Sequence, residues 1–297
     1  PGFRLQRLKD KLGGRSLASS EVEYDHLPAR ILGEEGRGTA FVVEQLIWTR
    51  LDTLTAVAGM MRRVVAEAIW HARHRSAFGA PLAAQPAMVN VLADIALESE
   101  AATVSALRIA HAFDSDDHDE ASFRRLALAV MKYWVCKRGA PLAAEALECL
   151  GGNGYVEEAP MAQFYRDIQI GTVWEGSGNV IALDVLRALA REPVAAPAFL
   201  AECELAAGAD PRFDAHMIGV REALVALVAD PAMAEWSARR VVEDMALALQ
   251  ASLLLRHSPR VVFDAFCAGR LGGRGLAFGD LPPGVDGAAI IERSLLV

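Results

Sequence analysis

Lysine is scarce in this chain, supplying four of the 30 basic residues and leaving the rest to arginine. Positive charge of any kind is outnumbered, with 38 Asp and Glu against 30 Lys and Arg and a net charge of −8. A general nucleic-acid binder shows the opposite balance, so that class has no electrostatic footprint here. Cysteine is rare as well. Cys136, Cys149, Cys203 and Cys267 stand far apart and form no C-x-x-C pair. That suits reduced core thiols and argues against a disulfide framework or a zinc site, so no metal is expected. Long apolar runs are missing too: segments such as Leu54–Met61 belong to buried helices and not to a membrane span. Pro1-Gly2-Phe3-Arg4 lacks the apolar stretch of a secretory signal, and a cytoplasmic protein is expected. Pro1 also opens a segment that reads like the middle of a domain, so a fragment or truncated product is expected.

What is present favours helix. Hydrophobic residues make up 53% of the 297, with alanine and leucine dominant and aromatics at 7%. Ala and Leu lose little freedom in a helix, and this length can bury one large core or two medium ones. Residues 1–36 are polar and Gly-punctuated, with a strand expected over Ser20–Tyr24 and turns at Gly13-Gly14 and Gly33. From Gly38 the apolar residues recur at three- and four-residue steps, which predicts one unusually long helix to about Arg73. Gly79 and Pro81 close it.

A second helix is predicted from Pro86 to the acidic stretch at 114–117, and a third from about Glu120 to Leu150, ended by Gly151-Gly152. A fourth covers about Asn179–Arg191 and stops at Glu192-Pro193. Short connections make these four an up-and-down bundle. Ala195-Ala196-Pro197 reads as a boundary, beyond which residues 198–270 suggest three further helical pieces and 271–285 a Gly- and Pro-rich tail over the surface. The expectation is therefore a mainly α protein in three parts. Residues 1–36 are the end of a β-domain, 37–193 the bundle, and 194–297 a helical extension.

Four local patterns could carry chemistry. Thr49-Arg50 lies inside the long helix, where an Arg is most simply a snorkelling surface residue. Arg75-x-x-Phe78-Gly79, followed by Gln85, is on its own a helix end with a cation. In Glu148-Cys149-Leu150-Gly151-Gly152-Asn153-Gly154-Tyr155 the glycines suit a helix cap and turn, and also let backbone N–H groups approach a phosphate. Arg166-Asp167 followed by Glu175-Gly176-Ser177-Gly178-Asn179 fits an N-terminal cap, with Ser177 or Asn179 accepting from helix N–H groups.

In this order and at these separations, the four patterns resemble the C-terminal part of the acyl-CoA dehydrogenases. That family carries R-x-x-F-G after the first bundle helix, then Q-x-x-G-G-x-G-[YF], then R-D and E-G-[ST]. The resemblance covers residues 1–192 and takes in Leu32-Gly33-Glu34-Glu35-Gly36-x-Gly38 as the passage from β-domain to bundle. The chain is most similar to the AidB-like branch, flavoproteins linked to the bacterial DNA-alkylation response. The segments Gly2–Gly13, Met60-Met61-Arg62-Arg63 and Cys136-Lys137-Arg138-Gly139 carry that likeness, with Trp174 and the extra C-terminal helices.

The resemblance implies FAD as cofactor, an acyl-CoA substrate, and Glu175 as the base that removes the α-proton while the β-hydrogen leaves as hydride. Some relatives supply that carboxylate from the place of Thr49, which cannot serve. Arg50 would support the local charge, and Arg75 and Phe78 would reach the FAD pyrophosphate and adenine of a neighbouring subunit. Gly151 and Gly152 would bring backbone close to the same cofactor, and Ser177 and Asn179 would contact its adenosine diphosphate part. Gln85 matches the family's Gln one residue early, with Pro86 in the usual place. Glu148 and Ile181 also depart from the family, each replacing a Gln. The N-terminal helical domain and most of the β-domain of the family have no counterpart here.

A shared FAD implies a homo-oligomer, a tetramer in most relatives, and the electrons would pass to an electron-transfer flavoprotein. Three functions stay open: an acyl-CoA dehydrogenase; an AidB-like DNA-protective flavoprotein with little turnover; and an extension that serves only oligomer assembly. For DNA, residues 196–297 hold nine Arg and no Lys against thirteen Asp and Glu, so contact is disfavoured. Arg239-Arg240 and Arg256/Arg260 are the places where a local basic patch is conceivable.

Overall fold

A computed structural model of the chain describes residues 2–273, 275 and 277–295. Two exposed strands open it, β1 (Phe3–Leu8) and β2 (Ser20–Tyr24), paired antiparallel with Phe3 opposite Tyr24. The second strand lies where its alternation placed it. The turn after β1 is tied down by the Gly14 N–H, which donates to Asp167 Oδ1 at 2.6 Å.

Helix α1 (Gly38–His74) has 37 residues, close to the predicted span. Its first turns are exposed, and burial starts at Thr53, with Leu54, Val57, Met61 and Val64 facing inward. A tight hairpin follows, β3 (Ser76–Ala77) and β4 (Ala80–Pro81), with Phe78 and Gly79 at its tip. Both tip residues have positive φ, 53° and 83°. A two-residue hairpin turn favours that conformation, yet it is uncommon for any residue with a Cβ.

Helix α2 (Pro86–Phe113) returns antiparallel to α1, so that Trp48 packs on Phe113 with ring centroids 4.8 Å apart. Helix α3 (His118–Cys149) starts on an Asp117 cap and runs back against α2, with Arg124 donating to Ala112 O near the turn and Arg138 reaching Glu98 further along. After α4 (Gly152–Tyr155), α5 (Pro160–Ile168) and a 3-10 turn (Gln169–Thr172), helix α6 (Gly178–Arg191) descends along α3. Arg125 meets Glu192 at one end of that contact and Lys137 lies beside Gly178 at the other. Helices α1, α2, α3 and α6 therefore form the expected up-and-down bundle.

Gly139 on α3 and Gly171 in the 3-10 turn let those two segments come close to α1. A Cβ on Gly139 would lie 2.8 Å from Val57 Cγ1, and one on Gly171 would lie 2.5 Å from Val57 Cγ2. Neither contact is sterically tenable, so both positions require the missing side chain.

Beyond the bundle lie α7 (Ala195–Glu204), α8 (Pro211–Ala229), α9 (Pro231–His257) and α10 (Arg260–Arg270). These are four helices where three pieces were expected. One of the breaks is Asp230-Pro231: Asp230 caps α9 through the N–H groups of Ala232 and Met233, and Pro231 sits in its first turn. Ala195-Ala196-Pro197, read as a boundary, forms the first turn of α7. Chain 271–285, in its described residues, runs along α2 as expected of a surface tail. Asn90 exchanges two hydrogen bonds with Leu281, and the Gly279 N–H donates to Asp94. Helix α11 (Gly287–Arg293) ends this path, with Arg293 paired to Glu100.

The four cysteines are free and buried. Burial pushes the Cys136 thiol up to about 11 and those of Cys149 and Cys267 to about 12, so they stay protonated and unreactive. Among the described residues, no helix is long and apolar enough to cross a membrane, and no cluster of ligand-type residues could hold a metal.

Candidate active site

Glu175 lies between the 3-10 turn and α6, at φ 58°. A non-glycine residue adopts that backbone only when its surroundings impose it. The cause is visible in three successive carbonyls. Lys132 Nζ donates to Trp174 O at 2.5 Å and to Gly176 O at 2.7 Å, and Arg50 Nε donates to Glu175 O at 3.2 Å. The backbone is thereby pulled toward two cations. The Glu175 side chain is left on the wall of a cavity of about 400 Å³, with Thr49, Thr53, Val57, Ile170 and Trp174.

Arg50 is not the solvated surface residue of the simplest reading. Its side chain is 16% exposed, and its other contact is Asp184 Oδ2 at 2.7 Å. Thr49 lines the cavity, but its hydroxyl donates back to Leu46 O and Gln45 O along the helix.

Two participants escaped the sequence motifs. Lys132 is 1% exposed in the middle of α3. Burial pushes its ammonium below the usual lysine range; nearby Arg50 adds to that and Glu175 opposes it. The signal available was a lone Lys in the apolar run Leu126–Cys136. Asp52 adds a second carboxylate to the cavity wall, one turn beyond Thr49.

Ser177 occupies the cap position of α6, as the simpler reading had it, but makes no capping hydrogen bond with its side chain. Ser177 and Asn179 are exposed, and neither side chain has a hydrogen-bond partner among the described residues. Asp167 and Arg166, by contrast, are structural: Asp167 holds Gly14, and Arg166 pairs with Glu157 at 2.6 Å.

The remaining candidates lie elsewhere. Arg75 follows α1 by one residue, 25 positions beyond Arg50, which is about 37 Å along a helix. Its guanidinium has no ion-pair partner among the described residues. Phe78, at the hairpin tip, is 96% exposed. Gln85 donates to Ala77 O at 2.8 Å and so braces this hairpin. Gly151 and Gly152 follow α3, which runs alongside α1 in the same direction, and so lie toward the Arg75 end. An added Cβ on either would meet nothing within 4 Å. One chain thus carries two separate groups: Glu175, Arg50, Ser177 and Asn179 about midway along α3, and Arg75, Phe78, Gln85, Gly151 and Gly152 toward one end of the bundle.

Residues 36–190 match the family model described as the acyl-CoA dehydrogenase C-terminal domain. Over 191 residues the chain is 45% identical to the putative acyl-CoA dehydrogenase AidB of Escherichia coli K12, an alignment covering 64% of this chain and 35% of that protein. Among solved structures, Caenorhabditis elegans ACDH-11 in complex with C11-CoA superposes with a TM-score of 0.78 at 25% identity, covering 99% of this chain and 50% of that one. An acyl-CoA dehydrogenase from Bacillus anthracis complexed with FAD gives 0.73 at 18% identity, covering 90% and 54%, which is likeness of fold alone. The chain spans about a third of the first of these relatives and about half of the two solved chains.

Proposed function

Because the chain belongs to the acyl-CoA dehydrogenase family, through its C-terminal domain, we propose that Glu175 is the base for α,β-dehydrogenation of an acyl-CoA thioester. The observation that carries this is a carboxylate held at positive φ on the wall of a mainly apolar cavity, while its own backbone is fixed from behind. When an acyl chain fills the space between Val57, Ile170 and Trp174, water leaves. A carboxylate stripped of water in this way is a stronger base in general, which suits the chemistry. Glu175 takes the α-proton as the carbon–carbon double bond forms and the β-hydrogen departs with its electron pair. Thr49 cannot compete, because a hydroxyl engaged with the helix backbone is no base at neutral pH.

The residues present fit FAD. Arg75 offers an unpaired fork for a diphosphate. Phe78 offers a bare aromatic face, Gly151 and Gly152 open backbone, and Ser177 and Asn179 free polar groups at the start of α6. Bound there, FAD supplies the acceptor for the hydride, and an electron-transfer flavoprotein is the proposed onward acceptor. Ser177 and Asn179 lie beside mid-α3 while Arg75 lies past the end of α1, and the proposed sharing of one FAD between two copies is what would bring them onto one cofactor. A homo-oligomer, a tetramer by family likeness, follows, with the extension contributing to assembly.

The likeness to AidB favours a second reading, an AidB-like DNA-protective flavoprotein with little turnover. The extension argues against duplex binding. Arg256 is bound to Glu202 and Arg260 to Asp264, which leaves Arg239-Arg240 as the remaining basic pair of those considered. The test is to reconstitute the protein with FAD and mix it anaerobically with straight and branched acyl-CoAs. At least one should bleach the flavin band. No bleaching with any of them, together with tight and salt-sensitive retention of duplex DNA, would favour the second reading.

A further inference from the structure

Lys132 is an ammonium at the centre of a helix bundle, 1% exposed, with no carboxylate partner among the described residues. A buried charge without a counter-ion is disfavoured, and burial does shift this group toward its neutral form. A bland residue or a water could satisfy a pair of loop carbonyls with less desolvation. What distinguishes Lys132 is the identity of those carbonyls: Trp174 O and Gly176 O, the residues on either side of Glu175. Arg50 takes the carbonyl between them.

Three consecutive carbonyls converging on two cations dictate where the middle side chain points. Drawing three successive carbonyls onto two cations constrains the loop backbone, and Glu175 sits there at a left-handed φ of 58°. With its carbonyl drawn inward, the carboxylate is left facing the cavity. The other supports of the loop lie to one side of these carbonyls: the Val173 and Trp174 N–H groups each donate to Ile170 O at 2.9 Å, Gly171 lies against Val57, and Gly176 against Val180 and Ile181. They fix the peptide that enters Trp174 and limit where the loop can go, but the carbonyls of Trp174, Glu175 and Gly176 are held by the two cations.

On the reading of Glu175 as the base, we propose that Lys132 is a positioning residue: it holds the carbonyls of the residues on either side of Glu175, Trp174 and Gly176, and so aims the carboxylate at the substrate α-carbon. The ammonium touches no reacting atom. It acts through backbone carbonyls, and its loss lets the loop relax to an unstrained φ that swings Glu175 off target.

Lys132→Met keeps the length of the side chain and removes the charge, and Lys132→Gln keeps a donor. Both are made in the full-length, FAD-loaded protein, beside Glu175→Gln. For Lys132→Met, kcat should fall about 100-fold, the loss expected for a reacting group misplaced by an ångström. KM should stay within about threefold, since uniform binding is untouched. The isotope effect with α-deuterated acyl-CoA should rise, because proton removal becomes slower relative to the other steps. Lys132→Gln should fall between the two.

A readout independent of turnover is amide hydrogen exchange on the chain itself. Residues 172–178 should exchange faster in Lys132→Met while α1 and the rest of α3 keep their protection. Wild-type kcat and unchanged exchange in Lys132→Met, with Glu175→Gln inactive, would overturn the role of Lys132 and leave the base assignment standing. Normal turnover by Glu175→Gln would remove the base assignment, and the proposal with it.

Discussion

Asp184, on α6, accepts from Arg50 at 2.7 Å and lies 3.3 Å from Arg187 and 3.5 Å from Arg125. It is the anion that three guanidiniums gather on, Arg50 of the Glu175 region among them, and its side chain is 10% exposed. Removing one partner from such a buried pair typically costs about 3–5 kcal/mol, because the other charge is left without compensation. Asp184→Ala should lower unfolding stability by about that amount in urea titrations, with Asp184→Asn less severe. A loss well below 1 kcal/mol would mean that Arg50 is held by Glu175 O alone. At this scale the sequence was legible where chemistry is local. Glu175, Arg50 and Ser177 sit in short motifs, and all three lie in one region, about midway along α3. Lys132 and Asp184 were not legible, since their partners lie 42 and 134 residues away along the chain. No local pattern records that meeting.

The bundle helices begin and end where apolar period and breakers put them. Pro86 at the first position of α2, the Asp117 cap of α3 and Gly151 after it are signals with local causes. The extension was read less well for an equally physical reason. Helices α7 to α10 follow one another across short breaks, and the one between α8 and α9 is a single Asp-Pro step. The β3–β4 hairpin was read as a helix end with a cation. Its real form depends on Gln85 reaching back to Ala77 and on a phenylalanine accepting positive φ. Propensity does not anticipate either. An exposed aromatic in a strained conformation is better explained by something that stacks on it than by the stability of the hairpin.

At the scale of the whole molecule, the extension is fastened to the bundle by buried ion pairs, and these set an acid limit. Glu98 lies between Arg138 and Arg270, and Glu202 between Arg108 and Arg256. Burial pushes both carboxyls up, but the flanking guanidiniums outweigh it and hold both below the usual range. A carboxyl with a depressed folded pKa contributes stability that is present above its unfolded value, about 4.3. That contribution is lost as pH falls through the folded value. Glu145, Glu243 and Asp244 act oppositely. Burial raises them, so stability rises as pH falls from their folded values toward their unfolded ones. Denaturation midpoints should therefore peak in the mildly acidic range and collapse below about pH 4, as Glu98 and Glu202 protonate. Trp134, hydrogen-bonded to Gln250 on α9, should report loosening of the extension by fluorescence. Midpoints that climb steadily down to pH 3 would contradict this. How the extension wraps the bundle was not legible in the sequence, because those ion pairs join residues far apart in the chain.

The most direct measurement is anaerobic addition of acyl-CoA to FAD-loaded Glu175→Gln, read at the flavin band. The variant should bind FAD as the parent does, since the side chain faces the substrate cavity, and should show no acyl-CoA-dependent bleaching. Bleaching at the parent rate would show that another group removes the α-proton, and Glu175 would not be the base.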